Sequence, residues 1–218
     1  TPDAPEASTV YFYDVPGSSQ SVFSFGYPSL KRTDPDFVTA GAMNYRLGGG
    51  GFASRLTQEL REGKGYTYGI FSDFEGTDEI GTFTIGSGVR SNVTLEAASL
   101  VRDILADYAE TYTDEDLAVT KSFFTKSQSR RFETLGAKLG ALSDIANYGL
   151  PYDFVSQEIE AVEALSLEDV QALAARLIRP GEMNYVIVGD AETQMPRLSK
   201  LGYGEPVAIN DAVDDLSD

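Results

Sequence analysis

The sequence predicts an α+β fold: two layers, with a mostly antiparallel sheet and helices packed on one face. Three observations carry this. Strand-like segments come in pairs, at 10–15 with 20–27 and at 66–75 with 80–89. Helix-like segments then follow in a block instead of alternating with strands. A late strand at 183–188 places Met183, Tyr185 and Ile187 on one side.

The elements follow in order. Residues 1–9 form a polar leader. The first strand closes at Pro16-Gly17-Ser18, a turn composition. In the second strand Phe25 and Tyr27 alternate, so one face is buried. Asp34-Pro35 signals a helix start, with Asp34 as N-cap and Pro35 at the first helical position. Residues 66–75 and 80–89 are joined by Gly76-Thr77-Asp78-Glu79, the spacing of an antiparallel hairpin. Ala97, Leu100, Val101, Ile104, Leu105 and Tyr108 recur at helical spacing. Thr113 with Asp116 is a capping-box variant that opens a long helical segment, 114–148. Gly136 and Gly140 mark a kink or a close helix contact within it. Gly149-Leu150-Pro151 ends it. Two further helices, 152–165 and one starting at Ser166, precede the late strand, and a short helix at 192–201 follows. We expect one domain, 1–203, and an acidic tail, 204–218, that is disordered.

Composition excludes several function classes. With 34 acidic and 17 basic residues the net charge is −17, which repels phosphate backbones and argues against nucleic-acid binding. No apolar run approaches a membrane span. The absence of Cys removes disulfides and thiolate chemistry. The absence of His removes Ser-His-Asp triads, a His general base and His-ligated zinc. The chain opens at Thr1, so a missing signal peptide says little about its compartment.

The stretch at 47–70, LGGGGFASRLTQELREGKGYTYGI, concentrates the chemistry. Four glycines, Gly48, Gly49, Gly50 and Gly51, run into a short helix that ends at Gly63 or Gly65. Such a run persists where backbone turns sharply or comes close to something. A phosphate cradle is one reading, but the loop follows a helix and matches neither phosphate-binding glycine pattern. A flexible helix–helix connector is another. Arg61 closes the helix and Tyr68 lies early in the next strand. Spacing alone is compatible with a surface ion pair for Arg61 and strand packing for Tyr68.

The same stretch closely resembles the C-terminal-half signature of the pitrilysin/insulinase family of zinc metallopeptidases, inverzincins similar to the mitochondrial processing peptidase. The element order of the remaining chain resembles that family too. The resemblance implies two similar α+β halves closing around a chamber. One half carries H-x-x-E-H, zinc and the activated water. The other supplies an Arg and a Tyr that grip the substrate near the scissile carbonyl, and these positions fall on Arg61 and Tyr68. Lacking His, this chain is identified as the second kind of half: it binds no cofactor, and zinc belongs to its partner. That partner is a zinc-bearing homologous half, in the same longer chain or a separate subunit, with a peptide as substrate. A catalytically inactive scaffold or peptide-binding subunit is the competing expectation. Phe52-Ala53 and Tyr66-Thr67 depart from the family pattern, and Tyr66 competes with Tyr68 as the phenol. Many bacterial relatives are exported, which leans toward the periplasm.

Overall fold

A computed structural model describes residues 5–127 and 132–211. The strands are β1 (Thr9–Asp14), β2 (Gln20–Ser29), β3 (Thr67–Gly76), β4 (Gly81–Arg90), β5 (Asn184–Gly189) and β6 (Val207–Ala208). They form a single sheet in the order β3-β4-β2-β5-β1-β6. The β3–β4, β4–β2 and β2–β5 pairings are antiparallel. Those of β1 with β5 and β6 are parallel. The α+β class and the mostly antiparallel sheet are therefore as the sequence predicts.

Alternation decides the buried face. In β2, Ser21, Phe23, Phe25 and Tyr27 point inward while Val22 is half exposed on the other side. The inward residues join Phe83, Ile85 and Val89 of β4 and Tyr185 and Ile187 of β5. The helices cover this face. They are α1 (Phe37–Asn44), α2 (Thr94–Thr111), α3 (Asp114–Ser127), α4 (Leu135–Tyr148), α5 (Phe154–Ala164), α6 (Leu167–Leu177) and α7 (Ala191–Gln194). Helix α2 contributes Ala97, Val101, Leu105 and Tyr108, and α6 contributes Val170, Leu173, Ala174 and Leu177, to one core. Each large side chain so buried stabilises the fold by about 1.5–3 kcal/mol relative to exposure. A smaller cluster joins Phe154, Val155 and Ile159 of α5 to Ala141 and Ile145 of α4. Leu135, Leu139 and Leu142 of α4 remain exposed.

Two expectations are corrected. Helix α1 starts at Phe37, because the Asp34 carboxylate accepts the Asp36 N–H in a preceding turn instead of capping a helix. The long helix 114–148 is two helices. The second is capped by Thr134, whose hydroxyl accepts the Ala137 N–H, so the break precedes Gly136 and leaves both glycines inside α4. Gly149, at φ +63°, ends α4 as expected. Within the acidic tail, Val207–Ala208 pairs with β1, and Asn210 brackets Asp14 with two side-chain hydrogen bonds. Residues 212–218 lie outside the described residues. The capping boxes at Thr113/Asp116 and Ser166/Asp169 both form.

The glycine segment is wound and packed. Tyr45–Gly49 continues α1 as a π-helical turn, Gly51–Ala53 is a 3-10 turn, and a π-helix runs over Thr57–Gly63. A Cβ on Gly48 would lie 2.3 Å from the Ser72 hydroxyl and 2.5 Å from its backbone nitrogen. The turn thus lies directly on β3, the edge strand. Asn44 Nδ2 donates to the Ser72 carbonyl and the Thr57 hydroxyl to the Ile70 carbonyl. These contacts occupy groups that an open edge would present to another chain. Gly50 approaches the Tyr45 carbonyl as closely, and Gly51 turns at φ +55°.

Asp116 ties the two ends of this segment together. Its carboxylate accepts from Arg46 Nε at 2.7 Å and from Arg55 at 2.6 Å. The two arginines flank the glycines. Arg46 also donates to the Ala53 carbonyl, and Arg55 to the Thr111 carbonyl while lying over the Tyr108 ring. Burial alone would raise the Asp116 pKa. The hydrogen bonds from Arg46 and Arg55 outweigh it and hold the carboxyl below its usual 3.8.

Two outcomes follow. Gly48→Ala loses about 1–3 kcal/mol from steric conflict with Ser72. Gly41→Ala, with no atom near its Cβ, is neutral or gains about 0.5 kcal/mol. Urea midpoints distinguish them, and equal values would contradict the packing account. Asp116→Asn loses about 3 kcal/mol at neutral pH, because it leaves two guanidinium groups short of a partner. A depressed folded pKa gives stability that is present above the unfolded value and lost as pH falls through the folded one. The gap between wild type and variant therefore narrows below pH 3.8. A gap unchanged between neutral pH and about pH 2.5 would contradict the clamp.

Candidate functional site

The π-helix ends in a left-handed cap. Gly65 turns left-handed at φ +61°. Its N–H reaches the Arg61 carbonyl, the single bond of an αL cap, and the Tyr66 N–H reaches back to the Leu60 carbonyl. Two side chains are placed by it. Tyr66 packs against the core and is only partly exposed. Arg61 stays at the surface, with 38% of its side chain exposed. Its guanidinium lies 4.5 Å above the ring of Phe52 and 3.3 Å from a Glu62 carboxylate oxygen. Phe52, one of the departures from the family pattern, thus forms a platform under Arg61, a contact worth about 0.5–1 kcal/mol at an exposed site.

A β-bulge then sets Tyr68. Thr67 pairs with Val89 and Ile70 with Ser87, so β3 has one residue more than β4 between these pairs. Both Thr67 and Ile70 point inward, and Tyr68 and Gly69 are both displaced outward. Tyr68 is 91% exposed. The bulge is held by hydroxyls. The Thr67 hydroxyl lies 2.7 Å from the Gly88 carbonyl, which it can donate to, and accepts the Gly69 N–H at 3.0 Å. The Ser87 hydroxyl donates to the Gly69 carbonyl at 3.0 Å. Bulges of this kind re-aim a side chain and concentrate beside active sites.

Arg61, Tyr66 and Tyr68 line one cleft of about 350 Å³, together with Gln20, Glu62, Gly88 and Arg90. The structure therefore brings together the two residues singled out from the sequence. It also separates the competing phenols, since Tyr66 is tied into the core and Tyr68 is free on the cleft wall. The four glycines do not line the cleft. They lie at the start of the helix and Arg61 at its end. Sequence reasoning missed Phe52 as a platform, Thr67 and Ser87 as the staple of the bulge, and Arg90 as a wall residue. The expected hairpin held a signal for Arg90: antiparallel pairing places the end of β4 beside the start of β3.

The cleft does not suit a metal. The sequence has neither His nor Cys. Among the described residues no group of three or more Asp or Glu side chains is arranged to hold an ion. What the cleft does present is hydrogen-bond donors: the guanidinium groups of Arg61 and Arg90 and the exposed phenol of Tyr68.

Comparison with known proteins bears on the family and the fold. Residues 1–123 match the family model described as the peptidase M16 inactive domain. An uncharacterized zinc protease of Streptomyces coelicolor is 27% identical over 186 residues, 85% of this chain and 37% of the relative. A non-peptidase homolog, YmxG, of Helicobacter pylori is 24% identical over 178 residues, 79% of this chain and 40% of the relative. The crystal structure of a peptidase M16 inactive domain from Pseudomonas fluorescens superposes with a TM-score of 0.81 at 28% identity, covering 89% of this chain and 46% of that one. A protease from Helicobacter pylori shares the fold, with a TM-score of 0.77 at 17% identity, covering 85% and 45%. The chain spans less than half the length of these relatives. With its signature stretch inside the matched region, the chain belongs to the peptidase M16 inactive-domain family, the non-zinc-binding side of the pitrilysin-type zinc proteases.

Proposed function

We propose that this chain is the non-zinc half of a pitrilysin-type metallopeptidase and that Arg61 and Tyr68 hold the scissile carbonyl of a peptide in a chamber closed by an H-x-x-E-H half. The observation that carries the proposal is the placement of Tyr68. A large aromatic is held 91% exposed by a stapled bulge, in the same cleft as a guanidinium braced on Phe52. Folding alone gives no return for such exposure, whereas substrate contact does. Both groups donate hydrogen bonds, and both suit an oxygen that becomes anionic as the carbonyl is attacked. Donors already in place cost no reorganisation in the transition state.

The zinc, the activated water and the base that assists it belong to the partner half. Chain length supports such a partner, since this chain covers under half of each relative described above. So do the exposed leucines of α4, Leu135, Leu139 and Leu142, which leave an apolar stripe without cover among the described residues. A second reading is an inactive scaffold or peptide-binding subunit. It draws on one observation: the Helicobacter pylori relative is named a non-peptidase homolog.

Reconstitution with the zinc-bearing half separates the two readings. Arg61→Ala and Tyr68→Phe each lower kcat by roughly 10²-fold with little change in KM, the mark of contacts made in the transition state. Thr67→Val also lowers kcat, and adds nothing on top of Tyr68→Phe, because it acts through that phenol. Unchanged peptide cleavage in both the Arg61 and Tyr68 variants would give the scaffold reading.

A further inference from the structure

Arg90 ends β4 on the wall of the cleft and is exposed. Every other arginine among the described residues lies within 4 Å of a carboxylate: Arg32, Arg46, Arg55, Arg61, Arg102, Arg176, Arg179 and Arg197. No such ion pair is made by Arg90 among the described residues. Among the described residues its side chain makes one hydrogen bond, from the guanidinium to the Gly65 carbonyl at 3.1 Å. That bond orients the group and leaves most of its five N–H donors unused. In a chain with twice as many acidic as basic residues, an unpaired arginine stands out.

The surroundings point the same way. Gly88, across the bulge from Tyr68, has no atom near its missing Cβ, so the space beside the phenol is open. Gln20 pairs with Arg90 across β2 and β4 and adds an uncharged polar side chain to the wall. The acid in the cleft, Glu62, lies against Arg61. A planar fork of free donors recognises a carboxylate in two-point fashion.

Resting on the reading of Arg61 and Tyr68 as the carbonyl grip, we infer that Arg90 binds a carboxylate of the peptide substrate close to the scissile bond. The preferred substrates are then peptides that present an acidic group there. The group is either an Asp or Glu side chain or the carboxylate at the peptide's own C-terminus. Arg90 acts in specificity and takes no part in bond cleavage.

The test uses the assembled protein and matched fluorogenic peptides carrying Glu or Gln beside the cleavage site, each with a free or an amidated C-terminus. Wild type favours Glu over Gln, or free over amidated, by roughly two- to fivefold in kcat/KM, the range of one solvent-accessible charge pair. Which comparison shows the effect identifies the source of the carboxylate. Arg90→Gln abolishes the preference, so that the Glu and Gln peptides, free or amidated, are cleaved with equal kcat/KM. Arg90→Glu reverses it toward a Lys-bearing peptide. A preference that survives in Arg90→Gln overturns the inference, as does a wild type indifferent to both comparisons. The same peptides are also titrated by fluorescence anisotropy onto the zinc-stripped assembly. If the Arg61 and Tyr68 variants cleave normally, the carbonyl-grip reading fails, and the anisotropy ratio in wild type and Arg90→Gln still decides the role of Arg90.

Discussion

The carboxylate of Asp116 reaches both Arg46 and Arg55, on either side of four consecutive glycines. Those glycines would otherwise be the costliest part of the chain to order. The pairing holds the wound segment against β3, where Gly48 fits only because it has no side chain. The π-helix that carries Arg61 starts from this anchored point. Its direction, and so the position of Arg61 at its far end, depends on a charge pair well away from the cleft. The same contacts cover the edge of β3 and leave its bulged end free for Tyr68.

Two devices then act in sequence over a few residues. The left-handed turn at Gly65 sends Tyr66 toward the core, and the bulge after Thr67 sends Tyr68 out of it. Without the bulge, strict alternation would give Tyr68 one outward place followed by an inward Gly69, with Ile70 turned outward. The extra residue keeps Ile70 in the core while releasing the phenol. Packing demand and site geometry are reconciled by a single inserted residue, held by the Thr67 and Ser87 hydroxyls.

Much of this was legible in the sequence. Strand pairs, the helical block, the capping box at Thr113/Asp116 and the helix start at Ser166 follow from local patterns, and the structure bears them out. Arg61 and Tyr68 were reached through the signature stretch, since spacing alone left both open to ordinary roles. Non-local information was missing. Nothing local says that Gly48 faces Ser72, that Phe52 lies under Arg61, or that Arg46 and Arg55 share Asp116, because each contact closes through tertiary packing. Asp34-Pro35 carried a strong local start signal and still did not cap a helix, as its carboxylate was taken by a turn. The tail is acidic enough to suggest disorder, and what no local pattern shows is that Val207–Ala208 pairs with the exposed edge of β1.

The central claim is that Arg61 and Tyr68 contact the oxygen that becomes anionic during peptide cleavage. Its most direct measurement is a structure of the assembled protein with a phosphinic peptide bound, whose phosphinyl oxygens stand in for the tetrahedral intermediate. The account predicts the Tyr68 hydroxyl and an Arg61 guanidinium nitrogen at about 2.6–3.2 Å from that group. A phosphinyl group held entirely by the zinc-bearing half, with Tyr68 and Arg61 still facing solvent, would contradict it.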